Sequence, residues 1–98
     1  MRVEDCGITP ARVHEIHREW LARKGGHPGL HPDKSVEDRL KSVDMHIYYQ
    51  EISSPGCEQD VLELALQLWL KFTRGHVFID GNKRVGFALL IEALRAYD

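Results

Sequence analysis

Nine consecutive residues, His76-Val-Phe-Ile-Asp80-Gly-Asn-Lys-Arg84, bring an imidazole, a carboxylate, a glycine, an amide and two cations together late in a 98-residue chain. Of these groups, the His76 imidazole has an unperturbed pKa near neutrality, which suits a general base. Asp80 is the hard oxygen ligand that a magnesium ion takes. Lys83 adds a point charge, and Arg84 adds a fork of donors matched to phosphate oxygens. Gly81 lets the backbone turn and lets a phosphate come close to it. Singly, each residue has a plainer reading: Asp80 or Asn82 as a helix N-cap, His76 as an imidazole resting on a backbone carbonyl. Two apolar side chains, Val77 or Phe78 together with Ile79, can anchor such a loop from below. The combination points to phosphate chemistry.

The flanks explain how these groups are held. An apolar run over 61–72 leads in and a second over 85–94 leads out, so the spacing predicts helix, tight loop, helix. The polar residues then gather at the N-terminus of the second helix, where unpaired N–H groups and the positive dipole end make an anion site. The run 61–72 is apolar on most sides, as a helix at the centre of a bundle is, and Gly75 terminates it. The last helix runs from Asn82 through Leu89, Leu90, Ile91 and Leu94 to the chain end at Asp98, with no glycine or proline to stop it.

Earlier in the chain, Thr9 reads as an N-cap and Pro10 as the first helical residue, with Ile8 and Val13 placed for a hydrophobic staple. Val13, Ile16, Trp20 and Leu21 share one face of this helix, and Gly25-Gly26 ends it. His14 and His17 also share a face. With no third ligand in sight they read as surface or packing residues. The segment 25–32 is glycine- and proline-rich and reads as a loop; its His27 and His31 lack further zinc ligands. Asp33 or Ser35 caps a helix running to about Ile52. Val36, Leu40, Val43 and Ile47 face inward, with Tyr48 at the margin of that face, and Asp38, Arg39, Lys41 and Asp44 form the outer face. Ser54 and Pro55 restart the chain as cap and first turn.

The bulk properties agree with one all-α domain over 1–98. A net charge of −2 argues against direct nucleic-acid binding, and no stretch is long and apolar enough to span a membrane. The N-terminus has no secretory pattern, and Cys6 and Cys57 read as reduced thiols, so a cytoplasmic location is expected.

The stretch 76–84 resembles the signature of the Fic/Doc family, H-x-F-x-[D/E/N]-x-N-[G/K]-R, with His76, Phe78, Asp80, Asn82 and Arg84 on defined positions. The adenylyl-transferring Fic branch has glycine at the position of Lys83 and usually a second arginine where this chain has Phe87. The Doc (death-on-curing) branch has lysine there and no second arginine, so the match is to Doc. Gly81 departs from the alanine frequent in Doc proteins. The Gly-Gly-x-Pro-Gly stretch after the first helix also resembles Doc; a plain connecting loop is the first reading, and a place at the rim of the site is the alternative.

This resemblance implies a small helical bundle with the catalytic loop at the N-terminus of the last helix, without the usual C-terminal helices. Exposed apolar surface beside that helix would favour self-association. It implies a toxin that transfers the gamma-phosphate of ATP to a hydroxyl of a protein, elongation factor Tu, blocking translation. His76 would be the catalytic base, Asp80 the magnesium ligand, and Gly81, Asn82, Lys83 and Arg84 the nucleotide-phosphate grip, with ATP and Mg as cofactors. Fic-type AMP transfer and a non-catalytic antitoxin-binding module are the alternatives. Ser54 and Glu58 have the separation of the family's inhibitory motif, but Gln59 follows and Pro55-Gly56 intervene, so a separate Phd-like antitoxin is the expected restraint.

Overall fold

A computed structural model describes residues 1–53 and 60–96. A short 3-10 turn, Val3–Cys6, precedes α1 (Pro10–Lys24), α2 (Val36–Ser53), α3 (Asp60–Gly75) and α4 (Asn82–Arg95). The described residues are all-α apart from one isolated antiparallel bridge, Leu30 to Phe78. The restart at Ser54 and Pro55, the Ser54–Glu58 pair and Cys57 lie outside the described residues.

The starts of α1 and α2 follow from local chemistry. Thr9 is extended and its side chain accepts the Arg12 N–H at 3.2 Å, with Pro10 in the first turn where its missing donor costs nothing. Ile8 before the cap and Val13 after it are both fully buried. Gly25 closes α1 at φ 76°, its N–H reaching the Leu21 carbonyl at 2.8 Å. For α2 it is Ser35 that caps, its hydroxyl accepting the Asp38 N–H at 3.0 Å, while Asp33 sits in the left-handed region at φ 67°.

One hydrophobic core joins all four helices. Val13 and Ile16 of α1, Val36, Leu40, Val43 and Ile47 of α2, Leu64, Ala65, Leu68 and Phe72 of α3, and Val85, Leu89 and Ala93 of α4 are buried in it. α3 lies most extensively against α4 and next against α2. It is less enclosed than its apolar sequence suggests, because Leu62 and Trp69 face outward. Two further expectations are corrected. Tyr48 is not at the margin of the inner face but on the surface, 46% exposed, where it meets Tyr49 edge to face and Arg2 lies over its ring. Asp44 does not stand free on the outer face: its carboxylate accepts the Val3 N–H at 2.9 Å and fastens the N-terminal turn to α2.

α3 and α4 approach closely at Gly86. A Cβ there would stand 2.8 Å from the Thr73 hydroxyl and 3.0 Å from the Trp69 carbonyl, so a side chain would force the helices apart. The six residues 76–81 between these helices carry the site.

Candidate active site

The loop begins with backbone strain. His76 leaves α3 at φ 49°, a left-handed conformation that costs an L-residue about 1–2 kcal/mol. Such strain persists only where the surroundings over-determine it. Here they do, because the next two residues are driven into the core: Val77 is fully buried and Phe78 is 1% exposed, while the His76 side chain stays exposed. Ile79 is not an anchor. It is 48% exposed, and Val77 and Phe78 hold the loop from below.

Phe78 is gripped on three sides. From α4, the Asn82 side chain accepts the Phe78 N–H at 2.9 Å and donates to the Phe78 carbonyl at 2.7 Å. From the loop 25–32, the His31 N–H donates to the Val77 carbonyl at 2.9 Å and the Ile79 N–H donates to the Gly29 carbonyl at 3.1 Å, forming the bridge. From α1, the His17 ring stacks on the Phe78 ring with centroids 3.8 Å apart, and His14 meets it edge-on.

The glycine-rich loop also reaches Asp80. The His27 N–H points at Oδ2 across 3.4 Å, and a Cβ on Gly26 would come within 2.6 Å of the same oxygen. Glycine at 26, with φ 124°, is what permits that closeness.

Gly81 then turns the chain at φ 88° and serves as the backbone N-cap of α4, with no side-chain cap. The first intrahelical bond runs from the Val85 N–H to the Gly81 carbonyl, so the amides of Asn82, Lys83 and Arg84 are the first-turn donors left over by helix geometry. His76, Asp80, Gly81, Asn82, Lys83 and Arg84 line one cavity of about 410 Å³, which Thr73 and Ile79 complete. The six sequence-designated residues therefore meet in one place, and the Asn82 side chain is at the same time bonded to the Phe78 backbone. The Thr73 hydroxyl oxygen is buried without a partner.

Arg84 also faces a second, more apolar pocket of about 460 Å³, formed with Lys83, Trp20, Trp69, Phe87 and Ala88. Its guanidinium lies 3.8 Å over the Trp20 ring. A guanidinium stacked on an aromatic face keeps its N–H edge for an anion.

Electrostatically, the cavity joins one exposed carboxylate to two cations and a helix N-terminus. A lone carboxylate suits magnesium carried in on nucleotide phosphates rather than a closed protein cage. Among the described residues no three His, Cys, Asp or Glu side chains cluster as a metal site, His27 and His31 included.

Trp20, His17 and Thr73 were not foreseen as site residues. His17 and Trp20 lie on α1, far from the motif in sequence, and nothing in their spacing announces that α1 packs behind the loop. The pairing of His14 with His17 on one face was the available signal.

The Fic/DOC family model matches residues 7–94. Over 88 residues the chain is 28% identical to "Protein kinase doc" of Escherichia phage P1, covering 90% of this chain and 65% of that protein. The chain thus spans just under two thirds of that relative's length. Among the described residues no helix is long and apolar enough to cross a membrane.

Proposed function

We propose, from the premise that this chain belongs to the Fic/Doc family, that it is a Doc-like toxin moving the gamma-phosphate of ATP to a hydroxyl of a protein. The observation that carries this reading is the single cavity in which His76, Asp80 and the N-terminus of α4 with Lys83 and Arg84 meet.

On this reading the exposed His76 imidazole takes the proton of the attacking hydroxyl. The first-turn amides of α4 and the cations of Lys83 and Arg84 hold the phosphates and oppose the charge that builds up in transfer, which is the largest part of such catalysis. Asp80 would hold magnesium, which when bound supplies further neutralisation of the phosphates. Lys83 and Phe87 favour transfer of the terminal phosphate, since the adenylyl-transferring branch has glycine and arginine there. The target is proposed to be elongation factor Tu in the cytoplasm, with arrest of translation as the result and a Phd-like antitoxin as the restraining partner.

The test is a transfer assay with purified elongation factor Tu and ATP labelled at either the alpha or the gamma phosphate. Gamma label on the target, reduced about 10²–10⁴-fold by His76→Ala, is the expected result. Alpha label would move the protein to AMP transfer, which Gly81 favours, and would sink the role given to Lys83. If neither label transfers and Mg-ATP fails to raise the melting temperature, the site is a binding module.

A further inference from the structure

We infer that His17 is a positioning residue for the phosphate-binding turn, its imidazole N–H locking the peptide between Asp80 and Gly81 in one orientation. The link to phosphate rests on the function proposed above; the locking itself does not.

Among the described residues His17 is the buried polar side chain, 4% exposed. A histidine on the inner face of a helix is ordinarily satisfied close by. This one is satisfied across the fold, its Nε2 lying 2.8 Å from the Asp80 carbonyl oxygen. A carbonyl oxygen only accepts, so Nε2 carries the hydrogen, and both the neutral Nε2–H tautomer and the charged ring supply it. The stack on Phe78, with ring planes 16° apart, fixes where that N–H points.

The consequence lies on the other side of the same peptide. In a trans peptide the C=O and N–H groups are antiparallel. With the Asp80 carbonyl drawn toward α1, the Gly81 N–H is turned away from α1. Gly81 lines the cavity, and His17 is not among the lining residues. The peptide needs such a lock because the residue after it is glycine, which accepts positive and negative φ about equally and so permits the plane to flip. Asn82, Gly29 and His31 hold residues 77–79, but none of them bonds the Asp80 carbonyl.

Two substitutions separate the lock from mere packing. His17→Phe keeps an aromatic ring against Phe78 and removes the N–H. His17→Gln removes the ring and keeps an amide N–H near the position of Nε2. If packing alone mattered, Phe would be the better replacement; the lock requires the opposite order.

The first readout is the Gly81 amide resonance of the unliganded protein. Wild type and His17→Gln should each give one sharp signal, and His17→Phe should give exchange broadening or a second signal. The second readout is Mg-ATP affinity, expected to weaken about tenfold in His17→Phe and to stay within a few-fold of wild type in His17→Gln, about the effect of one hydrogen bond. Melting curves confirm folding, and His17→Met replaces His17→Phe as the donor-less variant should the latter unfold. Equal behaviour of both variants, or Gln worse than Phe, overturns the proposal. Wild-type protein that ignores Mg-ATP overturns the functional reading instead, while the Gly81 signal still decides the role of His17.

Discussion

At the scale of single residues, Asn82 holds the site loop in shape through its side chain. Its amide fits the Phe78 backbone as donor and acceptor at once. Asn82→Ala would leave both buried backbone groups unpaired, and we expect a loss of about 1–3 kcal/mol in denaturant unfolding. Asn82→Asp keeps the acceptor, loses the donor and adds an anion beside the cavity, so it should weaken Mg-ATP binding more than Asn82→Ala does at matched stability. Gly81 is constrained differently. A Cβ there would meet His17 at an ordinary 3.5 Å, so space is available, but φ 88° is not a conformation that alanine favours. Gly81→Ala should therefore lower stability by about 1–2 kcal/mol through backbone strain alone. A neutral result would mean that the turn relaxes.

At the scale of elements, the site depends on how closely α3 and α4 meet, since both ends of the loop hang from them. Gly86→Ala places a methyl against the Thr73 hydroxyl and the Trp69 carbonyl, and the backbone oxygen cannot swing aside. We expect overpacking of about 1–3 kcal/mol, read as a lower melting temperature, with Mg-ATP binding weakened as the loop ends shift. An unchanged melting temperature would show that the crossing has slack. α1 is tied to α4 separately: the Arg12 guanidinium donates to the Glu92 carboxylate, with Nε at 2.9 Å, which raises the pKa of Arg12. That tie adds to the burial of Val13 and Ile16, which packs α1, and with it His17 and Trp20, into the fold.

At the scale of the whole molecule, the N-terminal segment is fastened to α2 by charge. Arg2 donates to Glu51 at 3.0 Å, and the terminal amine lies 3.3 Å from the same oxygen. The Arg2 hydrogen bond, followed by that of the amine, holds the Glu51 carboxyl below its ordinary pKa. A lowered folded-state pKa favours the folded state above the unfolded-state value, and the contribution is lost as pH falls through the folded one. Acidification to below the ordinary glutamate range should therefore release Arg2 from Tyr48, over whose ring it lies at 5.8 Å. A pH titration of the Tyr48 ring resonances checks this, and Glu51→Gln should abolish the step. The effect on global stability should be small, because the pair is exposed. The pocket of Trp20, Trp69 and Phe87 is a further apolar feature of the surface. Sedimentation over a range of concentrations should show association that Phe87→Glu reduces.

The four helices were legible because each carries its own signals: Thr9-Pro10, Gly25-Gly26 and Ser35 at the ends, with apolar residues at helical spacing between them. The candidate site was legible because its chemistry lies within nine consecutive residues, where chain connectivity alone brings the groups together. What surrounds that stretch was not. That Val77 and Phe78 go in while Ile79 stays out, that Asn82 turns back on Phe78, and that Trp69 faces outward depend on which neighbours each position meets. Local sequence offers apolar side chains without saying which will be covered. The placement of His17 on the Asp80 carbonyl and of Gly26 against the Asp80 carboxylate joins residues more than fifty positions apart, and only the packing of α1 and its following loop against α4 and the site loop could decide it.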